Sequence, residues 1–179
     1  MKKAIAIAAV FMIVLGLTAC GTKNTPNGSE QKKTADFWRD ITEAEAKELC
    51  KNSFTVPQGA ENVQWSVMDS ASDSSGTLKA LVQLTFDLNE GSFIAREQTT
   101  GDKEIYQTGL NYDWTYKSAE PLKNWVNIVS HKYRYIDENG FVDLCTWYSA
   151  EDGVSYSLSI IAKDLDGFDI LAIVEFMHG

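Results

Sequence analysis

The clearest pattern in the chain is the alternation in LKALVQLTFDL, residues 78–88. Apolar side chains occupy every second position from Leu78 to Leu88, and most of the residues between them are polar: Lys79, Gln83, Thr85 and Asp87. Successive side chains of a strand point to opposite faces, so this period of two predicts one buried face and one polar face. The stretch therefore predicts a half-buried β-strand within a sheet.

Four short turn signals follow this strand. They are Asn89-Glu90-Gly91, Thr100-Gly101-Asp102-Lys103, Asn139-Gly140 and Glu151-Asp152-Gly153. The segments that they introduce or separate are 93–98, 104–106, 125–136, 141–148 and 154–162. Links this short join antiparallel neighbours, and Asn-Gly accepts the positive φ angles of a tight hairpin. The order of segments predicts an antiparallel meander.

Further strands are predicted at 54–57, at 63–68 and at 112–116, because each is a short apolar or aromatic segment beside turn residues. In the segment 154–162 the alternation predicts two different faces. Tyr156, Leu158 and Ile160 are expected to face the core, and Ser155, Ser157 and Ser159 are expected to face solvent.

Two helices complete the predicted fold. Thr42 followed by Glu45 matches a capping box, which predicts a short helix that ends near Cys50. The broad apolar face from Leu165 to about His178 predicts a second helix packed on the sheet, with Asp164 and Asp166 at its positive end. The predicted class is α+β: an antiparallel sheet packed by a short N-terminal helix and a C-terminal helix.

The first 19 residues have the organisation of an export signal. Lys2 and Lys3 precede an almost wholly apolar run from Ala4 to Leu17, and small residues lead to Cys20. A membrane-spanning helix is the alternative, but it needs about 20 apolar residues, and this run is shorter and is followed at once by polar residues. The run is therefore predicted to be a signal peptide.

Leu17-Thr18-Ala19-Cys20 resembles the lipobox of bacterial lipoproteins. That resemblance implies cleavage before Cys20, attachment of diacylglycerol to its thiol and frequent acylation, for example with palmitate, of its new amino group. We therefore expect residues 1–19 to be a lipoprotein signal peptide and the mature protein to be lipid-anchored on the extracytoplasmic face of the cell membrane.

Two further regions follow the predicted signal. Residues 20–35 are the lipidated cysteine and a polar segment with too few apolar residues to fold, so we interpret them as a disordered tether. Residues 36–179 suit a single globular α+β domain.

The mature chain is strongly acidic. Loss of Lys2 and Lys3 reduces the 16 Lys and Arg residues to 14 against 25 Asp and Glu, so the mature net charge is −11. This charge excludes attraction to nucleic acid and to anionic lipid headgroups, while protein and apolar partners remain open.

Cys50 and Cys145 remain once Cys20 is assigned to the lipid. Exported proteins meet conditions in which a disulfide persists, so a Cys50–Cys145 bridge is one alternative. Two separate buried thiols that behave as small apolar residues are the other. Cys145 lies within an apolar strand, which favours an unreactive thiol.

The globular part resembles a family of uncharacterised exported lipoproteins of Gram-positive bacteria, distantly similar to the curved-sheet proteins that carry lipoproteins. The similar segments are Val56–Glu61, Ile94–Arg96, Leu144–Tyr148, Gly153–Leu158 and Asp164–Asp169. The resemblance implies a curved antiparallel sheet, with an apolar groove as one outcome, but it implies no activity and no ligand residue.

The sequence offers few groups for catalysis. Its two histidines are His131, which we interpret as a packed or half-exposed strand residue, and His178, which lies beside the C-terminus. Asp164, Asp166 and Asp169 have spacing reminiscent of a calcium loop, but the closing glutamate is missing, so we interpret them as helix caps. No metal and no cofactor is expected.

Aromatic residues recur across the predicted strands, notably Trp65, Trp114, Trp125, Tyr133, Tyr135, Trp147 and Tyr148. Core packing is the common role for such residues, although sheets that display them also bind ligands. Because Trp147 and Tyr148 are adjacent, they are predicted to face opposite sides of their strand.

These observations favour a non-catalytic binding module for a protein or an apolar ligand. A structural or sensory accessory subunit of an envelope complex is the second hypothesis. A hydrolase that uses Asp87, Glu97 or Asp113 is the third. The oligomeric state and the ligand-binding residues are not predicted.

Overall fold

Eight antiparallel strands form one open sheet, in the order β1-β2-β3-β4-β8-β7-β6-β5. The strands are β1 (Arg39–Ile41), β2 (Glu61–Met68), β3 (Leu81–Leu88), β4 (Gly91–Thr99), β5 (Tyr116–Pro121), β6 (Val129–Asp137), β7 (Gly140–Ser149) and β8 (Val154–Ala162). The helices are α1 (Glu43–Leu49) and α2 (Ile170–Phe176). The predicted α+β class with a curved antiparallel sheet is confirmed.

This computed structural model describes residues 38–50, 54–68, 80–89, 91–102, 104, 106–125, 127–138, 140–162 and 168–177. They all belong to one compact unit, Ala35–Gly179. Several predictions concern positions outside the described residues: the signal peptide 1–19, Cys20 and the tether 20–35, as well as Asp164, Asp166 and His178. Within the described ranges, no helix has the length and apolarity needed to cross a membrane.

The order of strands departs from a simple meander at one point. The strands β1 to β4 form one meander and β5 to β8 form another, and the two are joined by antiparallel pairing of β4 with β8. The prediction that residues 104–106 form the next strand after β4 is wrong, because β8 occupies that edge of β4. The chain instead passes to the far edge of the sheet before β5 begins.

Both helices begin at hydrogen-bonded caps. The predicted capping box of α1 is present: Thr42 Oγ1 accepts from the Glu45 amide at 3.2 Å, and Glu45 Oε2 accepts from the Thr42 amide at 2.7 Å. Helix α2 starts later than predicted, at Ile170, because Asp169 accepts from the Leu171 amide at 3.1 Å and is its N-cap.

Three predicted strands differ from the observed ones because tertiary contacts replace sheet pairing. Residues 54–57 are not a strand, since the Thr55 amide donates to the Met177 carbonyl at the end of α2. Strand β6 begins at Val129, and the Trp125 indole, 3.4 Å from the Val174 carbonyl, is buried against α2. Strand β5 begins at Tyr116, so it shares only this residue with the predicted strand 112–116. The edge strand β1 was not predicted.

The two helices cover one face of the sheet, which we call the core face. Trp147 stacks on Tyr156 with ring centroids 5.4 Å apart, and both rings meet the edges of Phe54 and Trp125. Ala46 and Cys50 of the α1 region and Ile170 and Val174 of α2 are buried in the same cluster. This aromatic centre holds the helices to the sheet.

The segment 106–115 covers the opposite, second face. The Gln107 carbonyl accepts a hydrogen bond from Arg96 of β4 at 2.9 Å. The rings of Trp114 and of Tyr133 in β6 have centroids 5.6 Å apart. Ser155, Ser157 and Ser159 of β8 lie on the second face, away from Tyr156, as predicted. They are buried, however, and do not face solvent. Their partners are distant in sequence, which the local pattern could not indicate: Ser155 shares a hydrogen bond with Thr100 at 3.0 Å, and Ser159 donates to the Ile94 carbonyl at 3.3 Å.

Candidate ligand pocket

A pocket of about 400 Å³ opens on the core face beyond the helices, at the β5–β6–β7 end of the sheet. Tyr116, Arg134 and Asp143 are directly opposite one another on these three strands and form a row across its base. The lining residues are Tyr116, Lys132, Arg134, Ile136, Asp143, Phe168 and Asp169. Alternation within β6 sends Lys132, Arg134 and Ile136 to the same face, so one strand supplies three of them.

The walls of the pocket are apolar and accessible. Tyr116 is 51% exposed and Ile136 is 52% exposed, so two large apolar side chains of the lining are open to water. Phe168, just before α2, contacts Phe93 of the core at 5.9 Å and closes one side. An apolar molecule in this pocket would remove these side chains from water.

The base contains an ion pair whose carboxylate is buried. Arg134 donates from Nε and Nη2 to the two oxygens of Asp143, both at 2.6 Å, and the Asp143 side chain is only 2% exposed. The hydrogen bond to Asp143 raises the pKa of Arg134 and outweighs the opposing effect of burial. The guanidinium also lies 5.6 Å from the centre of the Phe141 ring.

A second cation lies beside this pair. Lys132 Nζ is 3.2 Å from Asp169 Oδ1 and 3.5 Å from Glu120 Oε1. Burial lowers the pKa of the Lys132 ammonium, but its hydrogen bond to Asp169 and the charges of Asp169 and Glu120 outweigh burial, so the pKa is raised overall. The pocket therefore combines apolar walls with two fixed cations at its base, a combination suited to binding and orienting a ligand.

The three carboxylates named for a hydrolase lie apart. Asp87 accepts from Ser92 at 2.6 Å and from Asn62 at 2.7 Å at the end of β3, and these bonds lower its pKa. Glu97 is fully buried on the core face, and Asp113 lies in the segment that covers the second face. Because Asp87 and Glu97 lie on opposite faces of the sheet, they do not form one site.

Cys50 and Cys145 are both buried thiols, and neither is part of a disulfide, so the structure contains the second of the two alternatives. Burial raises the pKa of Cys145 to about 12. His131 is exposed on β6, opposite Thr146, which excludes the packed one of the two predicted environments. No group of three or more metal-ligating side chains occurs among the residues that the structure describes.

The thiols yield a testable prediction. Cys145 should resist iodoacetamide in the native protein at pH 8, because alkylation requires the thiolate and its pKa is about 12. After denaturation without reductant, both Cys50 and Cys145 should be alkylated. Mass spectrometry of the peptides measures this, and protection of both residues until a reductant is added would establish the bridge instead.

Aromatic side chains are divided between the two faces. Trp147 is buried in the core while Tyr148 lies on the second face and donates to the Gly101 carbonyl, as predicted from their adjacency. Trp65 and Trp125 are also buried in the core. On the second face, four half-buried rings form a row of contacts 4.9–5.6 Å apart: Tyr135, Tyr112, Trp114 and Tyr133.

Sequence reasoning missed the pocket. One signal was present, since Lys132, Arg134 and Ile136 alternate with Tyr133 and Tyr135 and so place charges on one face of a strand and aromatic rings on the other. The sequence did not indicate that the charged face is the one that meets the core.

Comparisons with known proteins add no relative. No family model, no curated protein and no solved structure matches this chain.

Proposed function

We propose that the protein is an extracytoplasmic lipoprotein, anchored through Cys20, whose domain binds an apolar ligand without transforming it. The observation that carries this proposal is the pocket of about 400 Å³ with accessible Tyr116 and Ile136 in its walls and ion pairs at its base. This volume is within the range of about 300–1,000 Å³ that is typical of small-molecule sites. The N-terminal sequence supports the anchor independently.

The anchor is tested by replacing Cys20 with serine. Cells fed labelled palmitate should incorporate the label into the unchanged protein and not into the Cys20→Ser variant, because only the thiol at the lipobox accepts diacylglycerol. Cys50→Ser is the matched control and should retain the label. An unlabelled native protein that still begins at Met1 would contradict the anchor.

Binding is tested with the apolar dye ANS. Ile136→Asp should weaken ANS binding about tenfold, because the substitution removes an apolar wall and places a charge there. Ile161→Asp is the matched control, since Ile161 is 59% exposed but lies on the second face. Fluorescence titration measures both dissociation constants.

Equal effects of the two substitutions would show that the dye does not use the pocket. With no binding to the unchanged protein, the accessory role in an envelope complex would become the better hypothesis. A membrane pull-down that identifies proteins and lipids separates these functions further.

A further inference from the structure

Arg134 has a second hydrogen-bonding edge that Asp143 does not use. A guanidinium carries five N–H donors, and the Asp143 carboxylate receives one from Nε and one from Nη2. The other edge consists of Nη1 and the remaining hydrogen of Nη2. Among the described residues, no acceptor lies against Nη1. Arg134 lines the pocket and its side chain is 30% exposed, so a molecule in the pocket can reach the guanidinium.

The contacts of Arg134 hold its guanidinium in place before any ligand arrives. Asp143 fixes the plane through two bonds of 2.6 Å, and the ring of Phe141 lies 5.6 Å below it. A preorganised fork loses little conformational freedom when it binds a second planar acceptor. The geometry of such a fork matches a carboxylate, which accepts two parallel hydrogen bonds.

Hydrogen-bond donors, and not a net positive charge, favour an anionic group at this edge, since Arg134 is paired with Asp143 and Lys132 is paired with Asp169 and Glu120. Lys132 lies two residues from Arg134 on the same face of β6, and both cations line the pocket. Both oxygens of Asp143 accept hydrogen bonds from Arg134. Asp169 Oδ1 accepts from Lys132 Nζ and from the Leu171 amide of α2. A carboxylate at the open edge of Arg134 would therefore meet donors, while its apolar part would lie against Tyr116 and Ile136.

We propose that the ligand is an apolar molecule with a terminal carboxylate, held head-first on the outer edge of Arg134. This inference rests on the proposed function, and it specifies the chemical class and the orientation of the ligand. Two sources share this chemistry, a free fatty acid and the C-terminus of an apolar peptide.

The test uses decanoic acid with a photoreactive diazirine near the end of its chain, added to the purified full chain. Mass spectrometry should locate the label at the pocket, on peptides that contain Tyr116 or Ile136. Unlabelled decanoate should compete at a concentration at least about tenfold lower than decanol, because one charged hydrogen-bonding site distinguishes them. Decyltrimethylammonium should compete no better than decanol.

A double variant isolates the carboxylate contact. Arg134→Met with Asp143→Leu removes both charges together and leaves an apolar base, which avoids a buried unpaired carboxylate. Decanoate should then lose at least about tenfold in potency while decanol is unchanged. Arg134→Lys, which retains the charge without the fork, should give an intermediate loss. Ile161→Asp is the control and should change neither competitor.

A pair of peptides identifies the source of the carboxylate. The tripeptide Leu-Leu-Phe is offered with a free and with an amidated C-terminus. Competition by the free form that exceeds that of decanoate would indicate a peptide end, and the reverse would indicate a fatty acid.

Equal competition by decanoate and decanol would overturn the carboxylate inference, while a label confined to the pocket would leave the proposed function intact. Unchanged decanoate binding by the double variant would also overturn it. Label distributed over the whole surface would contradict both.

Discussion

Replacing Arg134 by methionine should lower the free energy of unfolding by about 3–5 kcal/mol. The substitution removes the partner of Asp143, whose side chain is 2% exposed and whose two oxygens both accept from Arg134. The carboxylate would be left buried without a counter-charge, or would have to take up a proton. Because proteins of this size are stable by about 5–15 kcal/mol, the loss is a large share of the total. Urea denaturation measures it.

The double variant Arg134→Met/Asp143→Leu provides the control for this prediction. With both charges removed, the stability should return to within about 1–2 kcal/mol of the unchanged protein, since apolar residues of similar size replace a buried pair at little net cost. The large coupling between the two single substitutions is the decisive quantity. Additive losses would mean that Arg134 and Asp143 do not act as a pair.

Replacing Trp147 by alanine should lower the free energy of unfolding by about 3–5 kcal/mol. The side chain is fully buried, stacks on Tyr156 at 5.4 Å and contacts the edge of Trp125 at 5.5 Å, so its removal leaves a cavity where the sheet and α2 meet. The midpoint of urea denaturation should fall accordingly. Loss of α2 packing should also appear as faster hydrogen exchange at the amides of that helix.

Two other tryptophan variants control for this effect. Trp147→Phe should lower the free energy of unfolding clearly less than Trp147→Ala, because an aromatic ring remains. It also removes the indole Nε1, which is buried and has no acceptor among the described residues. Trp114→Ala should also cost less, since Trp114 is only half-buried on the second face. An equal loss at Trp114 and Trp147 would contradict the view that the aromatic centre on the core face dominates stability.

The Arg134–Asp143 ion pair and the aromatic centre have different roles in the fold. The aromatic centre is apolar and attaches both helices to the middle of the sheet, where burial supplies most of the stabilisation. The ion pair lies at the β5–β6–β7 end, beyond the two helices, where Tyr116 and Ile136 are more than half exposed. A ligand that fills this end would complete the apolar face.

Local sequence determined the strands that are joined by tight turns. The alternation in residues 78–88 identified β3, and Asn139-Gly140 and Glu151-Asp152-Gly153 correctly predicted the hairpins from β6 to β8. The capping box at Thr42 correctly placed α1. In each case the interaction is made by neighbours in the chain, so its geometry depends on nearby residues alone.

Only the tertiary structure decided which strand pairs with the second edge of β4, which face of β6 meets the core and that the serines of β8 are buried. Strand β4 pairs with β8 more than 50 residues later, and Arg134 meets Asp143 only because β6 and β7 pair in one register. Such pairing depends on the combined burial of many distant side chains, which no short pattern contains. The sequence by itself therefore determined an α+β chain with an antiparallel sheet, and long-range packing created the pocket.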